Sequence, residues 1–130
     1  DYDFSFSGLK TAVLYAVQDL KEMNSEIQAD IAASFQHAAT EVLVKKITKA
    51  LEDTGRESII LAGGVAANTM LRAKISDLKV RLNINVLYPP LAHCTDNAAM
   101  IAYLGSLKAH EATHSLVSHA KPRWPLGLHK

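Results

Sequence analysis

Apolar residues recur at helical spacing through Ile27, Ile31, Phe35, Ala38, Val42, Leu43, Ile47, Ala50 and Leu51. That period puts one stripe of a helix against a core, so the run predicts a long amphipathic helix. Ser25 as N-cap with Gln28 three residues on has the spacing of a capping box, and Gly55 supplies the C-terminal stop. Upstream, Ser7-Gly8 precedes an apolar-rich stretch from Leu9 to Leu20, which predicts a first helix with Ser7 near its start. Downstream the period changes. Ser58-Ile59-Ile60-Leu61-Ala62 is a short continuous apolar run, which predicts a buried strand broken by Gly63-Gly64. Val65 to about Leu82 returns to helix, with Met70, Leu71, Ile75 and Leu78 on one face. Ile84 to Tyr88 predicts a second strand, ended by Pro89-Pro90, and Asp96-Asn97 opens a last helix from Ala98 to about Lys108.

The predicted order is α-α-β-α-β-α, an α/β arrangement with helices packed on a short parallel sheet. Two strands joined by a helix imply parallel pairing through a right-handed crossover. Two strands alone make a thin sheet. The chain also begins at Asp1, without an initiator Met and inside a motif. Residues 1–130 are therefore expected to be a single partial domain of a longer protein, its missing strands upstream.

With 130 residues, 48% of them hydrophobic, the chain has the size and apolar content of one folded domain. No apolar run approaches the ~20 residues of a membrane span, and no signal-peptide pattern opens the chain. The single Cys94 leaves no internal disulfide and suits a reducing compartment. Fourteen basic against 13 acidic side chains give a net charge of +1, which does not announce a nucleic-acid binder. Lys45, Lys46 and Lys49 cluster on one stretch and Arg72, Lys74, Lys79 and Arg81 on another; both read first as solvated helix faces.

Chemistry is concentrated after the two strands. Strand, Gly63-Gly64, then helix lets a ligand approach the backbone at a helix N-terminus, a place that suits nucleotide phosphate and ribose. Asn68, expected in the first helical turn, offers an amide that both donates and accepts. Cys94-Thr95-Asp96-Asn97-Ala98-Ala99-Met100 follows the second strand. Open α/β sheets bind ligands beyond the carboxyl ends of their strands, so Asn68 and Asp96 are expected at one edge. Taken alone, the glycines read as a structural turn and Asp96 as a helix N-cap. Elsewhere, His110-Glu111-Ala112-Thr113-His114 fits the letter of the zinc-protease pattern. His119 is misplaced as a third ligand and the stretch has little chain after it, so these read as exposed tail histidines. Cys94 has no His–acid pairing beyond adjacent His93 and reads as a small buried residue. His37, mid-helix beside Phe35, reads as a helix–helix contact.

Several stretches together resemble one family. Asp3-Phe4-Ser5-Phe6-Ser7-Gly8-Leu9-Lys10-Thr11, Gly63-Gly64-Val65-Ala66-Ala67-Asn68, Cys94 through Ala102, and the closing Lys121-Pro122-Arg123-Trp124-Pro125-Leu126 are similar to blocks of the TsaD (Gcp) family, in the same order. The resemblance implies the latter part of the second lobe of an actin-like, sugar-kinase-like ATPase fold. It also implies a cytoplasmic tRNA-modifying transferase, which moves the threonylcarbamoyl group of threonylcarbamoyl-AMP to N6 of adenosine 37, giving t6A. By motif position, Asp96 carries over as a ligand of one iron or zinc ion, Asn68 as a contact to the adenylate, and Gly63 and Gly64 as the turn beside the nucleotide. The partners implied are ANN-decoding tRNA, a paralogous inactive TsaB-like subunit and a TsaE-like ATPase.

The amine of the tRNA base is the nucleophile in such a transfer, which fits a sequence without a Ser–His–Asp or Cys–His pattern. The family's two metal-binding histidines lie on an H-x-x-x-H motif in the first lobe, and that lobe is expected to lie outside these 130 residues. His110 and His114 share that spacing but follow Asp96 instead of preceding it. The segment alone is expected to bind metal weakly and to catalyse nothing. The alternative from another class is a non-catalytic nucleotide-binding or interaction module of the actin-like superfamily.

Overall fold

A computed structural model describes residues 2–112 of the chain. Helix α1 runs Ser7–Gln18 and α2 runs Ser25–Thr54. The 30 residues of α2 make a rod of about 45 Å at 1.5 Å per residue. Its N-cap is Asn24, one residue ahead of the expected Ser25. The Asn24 backbone is extended and its Oδ1 accepts from the Ile27 amide at 2.8 Å, so Ser25 is already helical and the Ser25–Gln28 box does not form. The stop falls where expected. Gly55 adopts φ 61° and its amide donates to Leu51 O at 2.9 Å, the left-handed ending that glycine reaches without a Cβ penalty.

Strands β1, Ser58–Ile60, and β2, Asn85–Leu87, pair in parallel with Ile59 opposite Val86 and Ile60 opposite Leu87. Helix α3, Thr69–Leu82, connects them. Each strand is shorter than its apolar run suggested, and the expectation of a strand buried on both faces is corrected. Ile59 and Val86 pack against the core, whereas Ile60 is 75% and Leu87 60% exposed. Parallel strands need cover on both faces to be buried, and within the unit that holds them the helices cover one.

The helix expected to run unbroken from Val65 divides in two. Gly64–Ala67 forms a 3₁₀ turn, Asn68 then adopts an extended ψ of 119°, and α3 starts at Thr69. Leu71, Ile75 and Leu78 of α3 are buried as their spacing predicts, Ile75 at 0% exposure. With Leu51, Leu61, Ala66, Ile84 and Cys94 they form the core, against which Leu43, Val44 and Ile47 of α2 pack. The N-terminal half of the α2 stripe turns elsewhere. Ile31 and Phe35 line an apolar groove with Phe6 and Val13 at α1. Lys74 Nζ bonds α3 to α2 at Glu41 Oε2 and at His37 O, both 3.3 Å. The His37 side chain is itself exposed, so the contact expected of its ring is made by its backbone carbonyl.

Contacts divide the chain after Asp96. In the second unit α4 spans Ala98–Leu107, followed by a 3₁₀ turn at Ala109–Glu111. No helix among the described residues is long and apolar enough to cross a membrane.

Candidate functional site

Both strands hand over at their carboxyl ends to loops that carry the candidate residues. After β1, Gly63 takes φ 82° and ψ 174°, a conformation essentially closed to residues with a Cβ. This turn lets Ala66 N return to Gly63 O at 3.0 Å and buries the Ala66 methyl. Asn68 sits where the 3₁₀ turn meets α3, and its Oδ1 accepts from Leu71 N at 2.9 Å. Asn68 is thus the N-cap of α3 and not a residue of its first turn. Capping occupies the side-chain oxygen with a backbone amide, so the amide nitrogen is the atom of Asn68 suited to a ligand.

After β2, Pro89 and Pro90 lead into a 3₁₀ turn at Leu91–His93 and then to buried Cys94. The cap of α4 is Asn97, whose Oδ1 accepts from Met100 N at 3.0 Å. Asp96 is therefore not the helix cap. It is exposed and makes no side-chain bond among the described residues.

Arg72 connects the two loops. Its Nε donates to Ala66 O at 2.6 Å, and its Nη2 donates to Pro89 O at 3.0 Å and meets Cys94 Sγ at 3.2 Å. The guanidinium lies 4.4 Å from the centre of the Tyr88 ring, within cation–π range. Arg72 does not lie on the solvated basic face expected from the charge pattern. It is half-buried and satisfied by backbone carbonyls. One signal was available. Arg72 lies one helical turn beyond Asn68, on the side of α3 that rises from the loop.

Asn68 also borders a cavity of about 380 Å³ whose walls include Phe6, Phe35, Gln36, Thr40 and Val65. Two separately recognised motifs, the one containing Phe6 and the Gly63–Asn68 turn, thereby reach one cavity. The remaining candidates fall away from it. Cys94 is buried with its thiol 3.6 Å from Pro90 O, and it serves packing. His110 is 76% exposed beside Glu111, which pairs with Lys108 at 3.2 Å, on a 3₁₀ turn and not the α-helix the protease pattern requires. His114 and His119, like the Lys121–Leu126 block, lie outside the described residues. Among the described residues no three His, Cys, Asp or Glu side chains come together as a metal site.

Residues 1–103 match the family described as "TsaD: tRNA N6-adenosine threonylcarbamoyltransferase". Three proteins bearing that name are similar to this chain. The one from Thermosipho africanus is 59% identical over 80% of the chain and 31% of its own length. The one from Polynucleobacter necessarius is 48% identical over 97% of the chain and 38% of its own length. The one from Thermosipho melanesiensis is 48% identical over 94% of the chain and 36% of its own length. The chain thus spans 31–38% of the length of these curated relatives. A match that includes the first strand, the glycine turn, the second strand and the Asp96 loop in order places this chain in the TsaD family of tRNA N6-adenosine threonylcarbamoyltransferases.

Proposed function

We propose that this chain supplies one side of a threonylcarbamoyl-transfer site, within the second lobe of an actin-like protein that makes t6A at adenosine 37 of ANN-decoding tRNA. In this reading threonylcarbamoyl-AMP lies over the glycine turn. Gly63 and Gly64 admit the nucleotide close to the backbone, and the Asn68 amide nitrogen donates to it. The tRNA base amine attacks the carbamoyl carbon, the new C–N bond forms, the bond to the AMP phosphate oxygen breaks, and AMP leaves as the amine loses a proton. A TsaB-like subunit and a TsaE-like ATPase are its proposed partners, in the cytoplasm.

Asp96 fits an iron or zinc ligand by its chemistry, since an outward carboxylate without a bonding partner among the described residues is open to a cation. It is one ligand, and the others would come from outside this segment. The bound ion would polarise the carbamoyl oxygen. The observation that carries the reading is that Asn97, not Asp96, caps α4, which removes the structural role that would otherwise account for Asp96.

The test uses the full-length protein as a cell's sole transferase. Asp96→Ala is expected to abolish t6A, read by nucleoside mass spectrometry, with thermal stability unchanged. Asn97→Ala, by contrast, is expected to cost about 1 kcal/mol of stability through the lost cap. Persistence of t6A at the unaltered level in Asp96→Ala overturns the assignment.

A further inference from the structure

The loop that carries Asn68 and the loop that carries Asp96 each close on themselves. In the first, Asn68 N returns to Val65 O at 3.0 Å; in the second, Cys94 N returns to Leu91 O at 3.2 Å. Neither set of bonds fixes one loop against the other. Arg72 does, because a single guanidinium bonds Ala66 O on one side and Pro89 O and Cys94 Sγ on the other. Ala66 and Cys94 stand two positions ahead of Asn68 and Asp96 respectively.

We infer that Arg72 is a positioning residue, which sets the loop bearing Asn68 and the loop bearing Asp96 in one fixed arrangement. The inference rests on the reading of those two residues as nucleotide and metal contacts.

The chemistry at this point favours arginine. Its donors leave a planar fork in fixed directions, so two loops bonded to it are oriented as well as linked. Pro89 and Pro90 have no amide hydrogen and can only accept, and the Arg72 Nη2 meets the first of their carbonyls. The Tyr88 ring closes one face of the guanidinium at 4.4 Å. No carboxylate pairs with Arg72 among the described residues, so acid or salt does not release the clamp as it would an exposed ion pair. A lysine would keep the charge over Tyr88, but its ammonium lacks the geometry to span all three acceptors.

The test compares Arg72→Lys and Arg72→Met with the unaltered full-length protein, reading amide hydrogen exchange over residues 62–68 and 89–97, metal affinity, and kcat and KM for the adenylate. In Arg72→Lys, exchange is expected to rise in both loops together. Metal affinity is expected to fall and the adenylate KM to rise, each by about 10- to 100-fold, the range for partners that orient a metal ligand. A purely structural role gives another signature. Apparent kcat then drops only as the folded fraction drops, KM and metal affinity stay unmoved, and exchange in the two loops rises no more than in the core of α3, and that result overturns the inference. Arg72→Met covers the case in which lysine finds substitute acceptors, since it removes every donor while filling similar space. If exchange rises in both loops while Asp96→Ala still binds metal normally, the clamp stands and the metal assignment falls. If exchange in Arg72→Met rises in one loop or in neither, the clamp falls whatever the activity.

Discussion

The Tyr2 hydroxyl donates to Asp53 Oδ2 at 2.8 Å, joining residues 51 positions apart. The same oxygen takes Lys49 Nζ at 2.7 Å from one turn back on α2. The segment ahead of α1 is thereby tied to the C-terminal end of α2. Lys49 first, and Tyr2 second, hold the Asp53 carboxyl below the usual carboxylate range. The bond to Asp53 raises the Tyr2 hydroxyl above its ordinary value, and the same carboxylate raises Lys49. All three groups are exposed, so salt screens the tie.

The tie should weaken at both ends of the pH scale. Asp53 has a lowered pKa in the folded chain, so its contribution is full above the ordinary carboxylate value and is lost as pH falls through the lowered one. Tyr2 and Lys49 are raised, so theirs is full below their ordinary values and is lost as pH rises through the raised ones. Carbon NMR of the Asp53 carboxyl reads this directly. Lys49→Met is expected to move its titration up further than Tyr2→Phe does. The reverse order would mean that the tyrosine dominates and that the charge pair is incidental.

Adjacent glycines should behave differently. A Cβ on Gly63 or on Gly64 would meet nothing within 4 Å, yet only Gly63 of the two holds a positive φ, at 82°. Gly63→Ala is expected to cost about 1–3 kcal/mol from backbone strain alone, measured by urea unfolding. Gly64→Ala is expected to leave stability unchanged or raise it by up to about 1 kcal/mol. If the nucleotide approaches this backbone as proposed, Gly64→Ala raises the adenylate KM of the full-length protein without loss of stability. An equal stability cost at the two positions would contradict the conformational argument.

Asn68 can be divided into its two functions. Asn68→Asp keeps an oxygen acceptor for Leu71 N and adds negative charge at a helix N-terminus, so the cap and the stability of α3 should hold. It removes the amide nitrogen, so adenylate affinity should fall. Asn68→Ala loses both, with a stability cost of about 1 kcal/mol. Adenylate affinity unchanged in Asn68→Asp would reduce Asn68 to a cap.

Much of this protein is written in local pattern. The stripe from Ile27 to Leu51 and the Gly55 stop specify α2, and two apolar runs separated by the Leu71, Ile75 and Leu78 face specify β1, α3 and β2. These survive translation into structure because period and stop residues act within a few positions of themselves. The motif blocks likewise fixed the family and put Asn68 and Asp96 after adjacent strands. The choice among neighbouring polar residues was not local. Asn24 caps α2 where Ser25 had the motif, and Asn97 caps α4 where Asp96 stood ready. A cap is decided by which residue has extended backbone when the helix begins, and the incoming chain sets that.

Arg72 was the least legible residue. Its partners lie 6, 17 and 22 positions away, and two of them are backbone carbonyls. Every residue carries a carbonyl, so no side-chain pattern marks the ones that will converge. The sequence determined which residues stand in the two loops. Only the tertiary structure decided that one guanidinium would join them, because that bond exists only once β1 and β2 lie side by side.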